Sequence, residues 1–179
     1  MSTLDYPTTA PIALQSLRSP DATFDVALYA RVAQLYAAAA QAVSDGRLTE
    51  WTELFVDKAK YSMISRANYD RGLPLATMFY ESRGALVDRV TAIDNTMVYA
   101  PRYVSLIVSN VGVVDRIDGR ARTRSSFAMY HTLVDGDAQL FMIGRTFDEI
   151  DVADDALRFA RRVVVFDSER VPGSVIYPI

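Results

Sequence analysis

Residues 120–133 read Arg-Ala-Arg-Thr-Arg-Ser-Ser-Phe-Ala-Met-Tyr-His-Thr-Leu. The odd positions are Ala121, Thr123, Ser125, Phe127, Met129, His131 and Leu133, and the even ones begin Arg120, Arg122 and Arg124. A period of two with one apolar face marks a half-buried antiparallel strand. Upstream, Arg102–Asp115 repeats the pattern with Val104, Leu106, Val108 and Val114 on one face. Downstream, Gln139–Ile150 begins with the apolar run Leu140–Ile143, and Ala156–Asp167 sets Leu157, Phe159, Val163 and Val165 together. The connections are Asp118-Gly119, Asp135-Gly136-Asp137 and Ala153-Asp154-Asp155, of which the first two carry the Asp-Gly hairpin signal. Four such strands expose an apolar face that something must cover.

The first half of the chain supplies the cover. Asp21 is placed to cap a helix to about Ser44, with the stripe Phe24, Leu28, Val32, Leu35, Ala39 and Val43, and Asp45-Gly46 ends it. Thr49 is a candidate cap for a short helix to Phe55. Asp57–Arg66 reads as a strand, Asn68–Pro74 as a loop and Thr77–Tyr80 as an edge strand. Ser82 caps a third helix to about Ile93 with Leu86, Val87, Val90 and Ile93 inward. Met1–Pro20 has Pro7, Pro11 and Pro20 and no periodicity, so it is expected to be an extended arm. Residues 21–179 are expected to form one α+β domain, a curved antiparallel or mixed sheet packed against three helices.

Composition excludes several classes of chemistry. The chain has 179 residues, 50% of them hydrophobic, with a net charge of −3. It lacks the basic excess that nucleic-acid binding needs. No apolar run reaches the ~18 residues of a membrane helix, and Met1–Pro20 lacks the pattern of a secretory signal, so a cytoplasmic protein is expected. There is no cysteine and one histidine. A Rieske cluster needs two of each, and a facial iron triad needs two histidines and a carboxylate. His131 lies on an apolar strand face, where a core role is expected.

Several side chains admit two readings. Asn110 is in register with Val108 and Gly112, so it is expected to be buried and hydrogen-bonded, either tying down its neighbours or facing a partner. Arg161 shares a face with Phe159 and Val163, which implies an internal or intersubunit ion pair or a substrate clamp. Tyr69, Asp70 and Arg71 form either a solvated turn or a contact with a larger chain. Arg120, Arg122 and Arg124 make a basic row, either wet or intersubunit.

In its order of elements the chain resembles the cone-shaped fold of nuclear transport factor 2, ketosteroid isomerase and scytalone dehydratase. Within that fold it is similar to the small (beta) subunit of aromatic-ring-hydroxylating dioxygenases over roughly residues 25–179. The resemblance rests on Asp45-Gly46-Arg47-Leu48-Thr49-Glu50-Trp51, Tyr69-Asp70-Arg71-Gly72-Leu73-Pro74 and Glu81–Val90. Val108-Ser109-Asn110-Val111, Gly144-Arg145 and Arg161–Asp167 complete it. The second and third patches resemble the branch that serves carboxylated rings such as salicylate, anthranilate and terephthalate. Where that family often has an Arg-His pair before the Val-Ser-Asn, this chain has Ser105-Leu106.

The resemblance implies that a large alpha subunit holds a Rieske [2Fe–2S] cluster and a mononuclear non-haem iron. This chain would then hold no cofactor or metal, have no catalytic residue, and assemble with the alpha subunit as α3β3. Tyr69, Asp70, Arg71, Asn110 and Arg161 are the candidate interface residues. The alternative is a stand-alone isomerase, dehydratase or cyclase in which Tyr61, Tyr80, Tyr130 and His131 work with Asp57 or Asp94 across an apolar pocket. A third possibility is a binding or dimerisation module without chemistry.

Overall fold

The computed structural model describes residues 25–96, 99–153, 155–168 and 173–179. The expected arm, Met1–Pro20, and the expected cap Asp21 lie outside them. The chain runs α1 (Val26–Ser44), α2 (Leu48–Glu53), β1 (Phe55–Ser65), α3 (Arg66–Asp70), β2 (Ala76–Tyr80) and α4 (Arg83–Asn95). Four long strands follow: β3 (Arg102–Ile117), β4 (Arg120–Leu133), β5 (Gln139–Asp151) and β6 (Arg158–Phe166).

The strands form one six-stranded sheet in the order β2-β1-β6-β5-β4-β3. Only β1 and β6 run parallel; every other neighbouring pair is antiparallel. Tight turns explain the β3-to-β6 half. Asp118 and Gly119 both take positive φ, 50° and 75°, the geometry that a two-residue hairpin demands. At the other end of β4, Gly136 N–H closes its turn on Leu133 O at 3.0 Å.

The helices start where capping chemistry lets them. Asp25 accepts from Leu28 N at 2.9 Å and opens α1, whose stripe Leu28, Val32, Leu35, Ala39 and Val43 is buried. Ser82 caps α4 by accepting from Ala85 N at 3.1 Å. Helix α2 begins one residue before the expected Thr49, with Arg47 at the cap position and no side-chain cap. On α4, Leu86, Val90 and Ile93 are buried as expected, whereas Val87 is exposed.

Helices α1, α2 and α4 share the main core with the inner face of the sheet. The expected loop 68–74 instead begins as α3, capped by Ser65 accepting from Asn68 N. This short helix lies against the outer face, where Tyr69 joins Ile64, Phe147, Val163 and Val165 in a second, smaller core.

β-Bulges break the alternation the sequence suggests, in β3, β5 and β6 among others. In β3 the register slips between Ser109 and Gly112 at Asn110, which has φ 52°. Beyond it Val111 and Val113, rather than Val114, pack on the main core. In β5 the slip at Phe141 turns both Phe141 and Met142 inward. In β6 the slip at Ala160 separates Phe159 from Val163 and Val165, which face opposite sides of the sheet.

Candidate functional site

The cone interior holds a polar cluster that the sequence reading did not identify. Alternation brings Thr123 and Ser125 of β4, and Thr146 and Asp148 of β5, to the inner face. Tyr36 reaches them from α1: its hydroxyl lies 2.8 Å from Thr123 Oγ1 and donates a short hydrogen bond to Asp148 Oδ2. Thr146 Oγ1 donates to the same oxygen at 2.7 Å and lies 2.9 Å from Ser125 Oγ.

The bulge at Ala160 sends Arg162 into this cluster and leaves Arg161 on the outer face. Arg162 is 1% exposed, and its guanidinium sits 4.6 Å from the Phe159 ring centroid and 5.6 Å from that of Tyr36. Its Nε and Nη1 find no hydrogen-bond partner among the described residues.

Burial pushes the Asp148 carboxyl above its ordinary value, against Arg162 and the hydrogen bonds from Tyr36 and Thr146. Burial, aided by the Asp148 charge, pushes the Tyr36 phenol well above its ordinary value. A tyrosine–carboxylate pair is the raw material of proton-transfer chemistry. Here, however, side chains occupy the space a substrate would need: Tyr36, Asp148 and Arg162 are each 1% exposed or less.

The C-terminal tail helps to close the mouth of the cone. Ile176, Pro178 and Ile179 are buried. Ile179 N donates to the Tyr61 hydroxyl at 3.1 Å, and burial pushes that phenol up to about 12. Arg89 Nη2 donates to Val175 O at 3.2 Å and Ile176 O at 3.1 Å. The Tyr99 and Tyr177 hydroxyls meet at 3.2 Å.

The residues weighed for a stand-alone enzyme do not converge. Tyr61 is sealed by the tail, with Tyr80 beside it at 6.1 Å between ring centroids. Tyr130 belongs to the opposite alternation of β4 from His131 and so faces outward. His131 packs in the core against Phe141, 5.0 Å between centroids. Asp57 is exposed and pairs with Arg83 at 2.5 Å, and Asp94 lies in an open surface hollow with Tyr99 and Tyr177.

The outer face is open and divides along the strands. At the β4–β5 turn end it is apolar. Ile107, Ala128 and Ile143 are register neighbours across β3, β4 and β5, as are Ser105, Tyr130 and Leu140. Tyr103 is 76% exposed, Ile107 53% and Leu140 49%. Toward the β3–β4 turn the surface is charged. A row of register partners crosses five strands as Asp115, Arg122, Glu149, Arg161 and Lys60.

The candidate interface residues divide between these regions. Asn110, expected to be buried, is exposed because its bulge lifts it out of register, and its Nδ2 lies 3.3 Å from Ser126 Oγ. It rims an outer hollow of about 690 Å³ with Arg124, Arg145, Phe147 and Asp167. Arg161 is half-buried beside Glu149 at 3.7 Å, while Arg162 takes the interior position that the unbroken alternation assigned to Arg161. Tyr69 is buried and stacks on Phe147 at 5.5 Å with 3° between the rings. Asp70 pairs with Arg66 at 2.8 Å, and Arg71 is exposed.

Among the described residues no group of three or more His, Asp or Glu side chains is arranged to hold a metal ion. No helix among them is long and apolar enough to cross a membrane.

Comparison with known proteins agrees with this anatomy. A family model described as the ring hydroxylating beta subunit matches residues 38–173. The anthranilate 1,2-dioxygenase small subunit of Burkholderia cepacia is 26% identical over 76% of this chain and 85% of its own. A crystal structure assigned to the beta subunit of an aromatic-ring-hydroxylating dioxygenase from Novosphingobium aromaticivorans superposes with TM-score 0.79 at 26% identity, covering 86% of this chain and 97% of that one. One assigned as a scytalone dehydratase from the same organism shares the fold, with TM-score 0.66 at 16% identity over 85% and 92% of the two chains. The fold is therefore the cone that the order of elements implied. The chain belongs to the ring-hydroxylating beta subunit family, a non-catalytic partner in an oxidoreductase.

Proposed function

We propose that this chain builds the terminal oxygenase of an aromatic-ring dioxygenase by docking, as three beta subunits holding three alpha subunits in an α3β3 particle. The observation that carries the proposal is the contrast between its two faces. The interior where a cone-fold enzyme would place its substrate is filled by Tyr36, Asp148 and Arg162. The outer sheet face, by contrast, leaves Tyr103, Ile107, Leu140 and Ile143 in water. An apolar patch on a long sheet ending in the 16-residue edge strand β3 is unfavourable for a chain on its own.

The residues present do not fit a Rieske cluster or a mononuclear iron, since the chain has no cysteine and one histidine. Those groups, in this proposal, belong to the alpha subunit in the cytoplasm. The single domain begins near residue 21. Asn110 and Arg161 lie on the face that meets a second beta subunit. Asp70 and Arg71, with the exposed Leu73 and Leu75 beyond them, meet the alpha subunit, and Tyr69 anchors that loop from beneath. The similarity to an anthranilate enzyme supports a carboxylated aromatic substrate, bound by the alpha subunit.

The test is to replace Ile107 and Ile143 together by glutamate in the chain coexpressed with its alpha subunit. The proposal expects a folded beta subunit that no longer reaches the full mass, and turnover lost with it. A full-mass particle would place the interface elsewhere.

A further inference from the structure

The charged end of the outer face contains a hollow of about 290 Å³ lined by Lys58, Lys60, Arg120, Glu149, Ala160 and Arg161. The bulge makes it: Ala160, 4% exposed, forms a floor with no long side chain, and Arg161 stands beside it. Four cations share one carboxylate. Glu149 is stretched between Arg161 at 3.7 Å and Arg120 at 4.0 Å. No ion pair to Lys58 or Lys60, both exposed, occurs among the described residues. The four cations and one carboxylate leave a net charge of +3 in one hollow, on a chain of net charge −3, and the excess cations repel one another until something acidic enters.

The complement lies on the same chain, at the far end of the same strands. The β4–β5 turn carries Asp135 and Asp137, both exposed, beside Val134 at 69% and Leu133 at 40% exposure. One molecule cannot join its own two patches. Arg120 begins β4 and Leu133 ends it, at opposite ends of a 14-residue strand about 45 Å long. The pairing must cross between molecules.

We infer that the β4–β5 turn of one copy, through Asp135 and Asp137, docks in the Lys58–Lys60–Arg120–Arg161 hollow of the next. Two different patches on each copy make a head-to-tail contact, which excludes a two-fold dimer and forms a ring when the rotation between copies closes. Apolar Val134 and Leu133 enter with the carboxylates. The inference rests on the ring-shaped assembly proposed above and names the surfaces that form it.

The experiment measures native mass and dissociation concentration of the full chain coexpressed with its alpha subunit. Lys58→Glu with Lys60→Glu should raise the concentration at which the particle dissociates at least tenfold, and so should Asp135→Lys with Asp137→Lys. Combining all four substitutions should restore assembly to near the original value, because each interface again pairs opposite charges. Failure of the combined variant to recover, or full assembly of both reversed variants, overturns the inference. Loss of the alpha subunit from the lysine variant alone, with the aspartate variant intact, also overturns it, since the occupant would then be the larger chain. A wild-type chain that never forms a ring contradicts the docking proposal itself, which keeps the two failures apart.

Discussion

Asp148 on β5 and Arg162 on β6 are cross-strand partners, and both are shut away from water at 0% and 1% exposure. Neither group has a solvent route: Tyr36 and Thr146 donate to the Asp148 carboxylate, and the Arg162 charge favours it without an ion pair within 4 Å among the described residues. Removing one member of a buried pair strands its partner and costs about 3–5 kcal/mol. Arg162→Met should show a loss of that order in denaturant unfolding, whereas Asp148→Asn, which mimics the protonated form that burial favours, should cost clearly less. The double variant should lose clearly less than the two losses combined, because no stranded charge remains. Strict additivity would contradict the coupling.

The same pair predicts a pH dependence. Burial raises the folded Asp148 pKa above its unfolded value, so the folded state holds that proton to higher pH. The contribution is fully present below the ordinary carboxylate range and is lost as pH rises through the raised value. Asp148→Asn removes this one slope and should flatten the stability curve over that window. Identical slopes for the two proteins would show that the carboxyl is not perturbed.

Much of the fold was legible because turn chemistry and period-two patterning agree in residues 102–167. Strand β4 runs from Arg120 to Leu133 as read, and Ser82 caps α4. The site was harder to read for a local reason. Each bulge inserts one residue, and every side chain beyond it changes face. Ala160 carries no signal for such an insertion, yet it places Arg162 rather than Arg161 inside. Asn110 offered a partial clue, since asparagine tolerates positive φ better than most residues. Around Tyr69 the sequence resembles a loop, because a five-residue helix leaves no periodicity to detect.

Gly144 sits where the sheet has no room. A Cβ built there meets Val165 O in a clash and lies 2.8 Å from Phe166 Cα, both backbone atoms that cannot swing away. Gly144→Ala should cost at least about 3 kcal/mol, at the high end of overpacking, or prevent soluble expression. A melting temperature like that of the unaltered chain would contradict this packing.

Deleting residues 173–179 should unplug the cone. The deletion removes the buried side chains of Ile176 and Ile179, worth about 3–6 kcal/mol together. It also returns the Tyr61 phenol from about 12 toward its ordinary value. Ultraviolet titration of the truncated chain, with Tyr61→Phe as reference, reads the shift directly. An unchanged Tyr61 would mean that the tail does not seal the interior.

The role itself is tested most directly by weighing the particle. The chain should be coexpressed with its alpha subunit, and native mass and ring hydroxylation measured on the same sample, beside the chain purified alone. Docking predicts a complex of three copies of each subunit that hydroxylates an aromatic acid, and a lone chain with no turnover. A lone chain that converts a small molecule, or an alpha subunit that reaches full mass and rate without this partner, would contradict it.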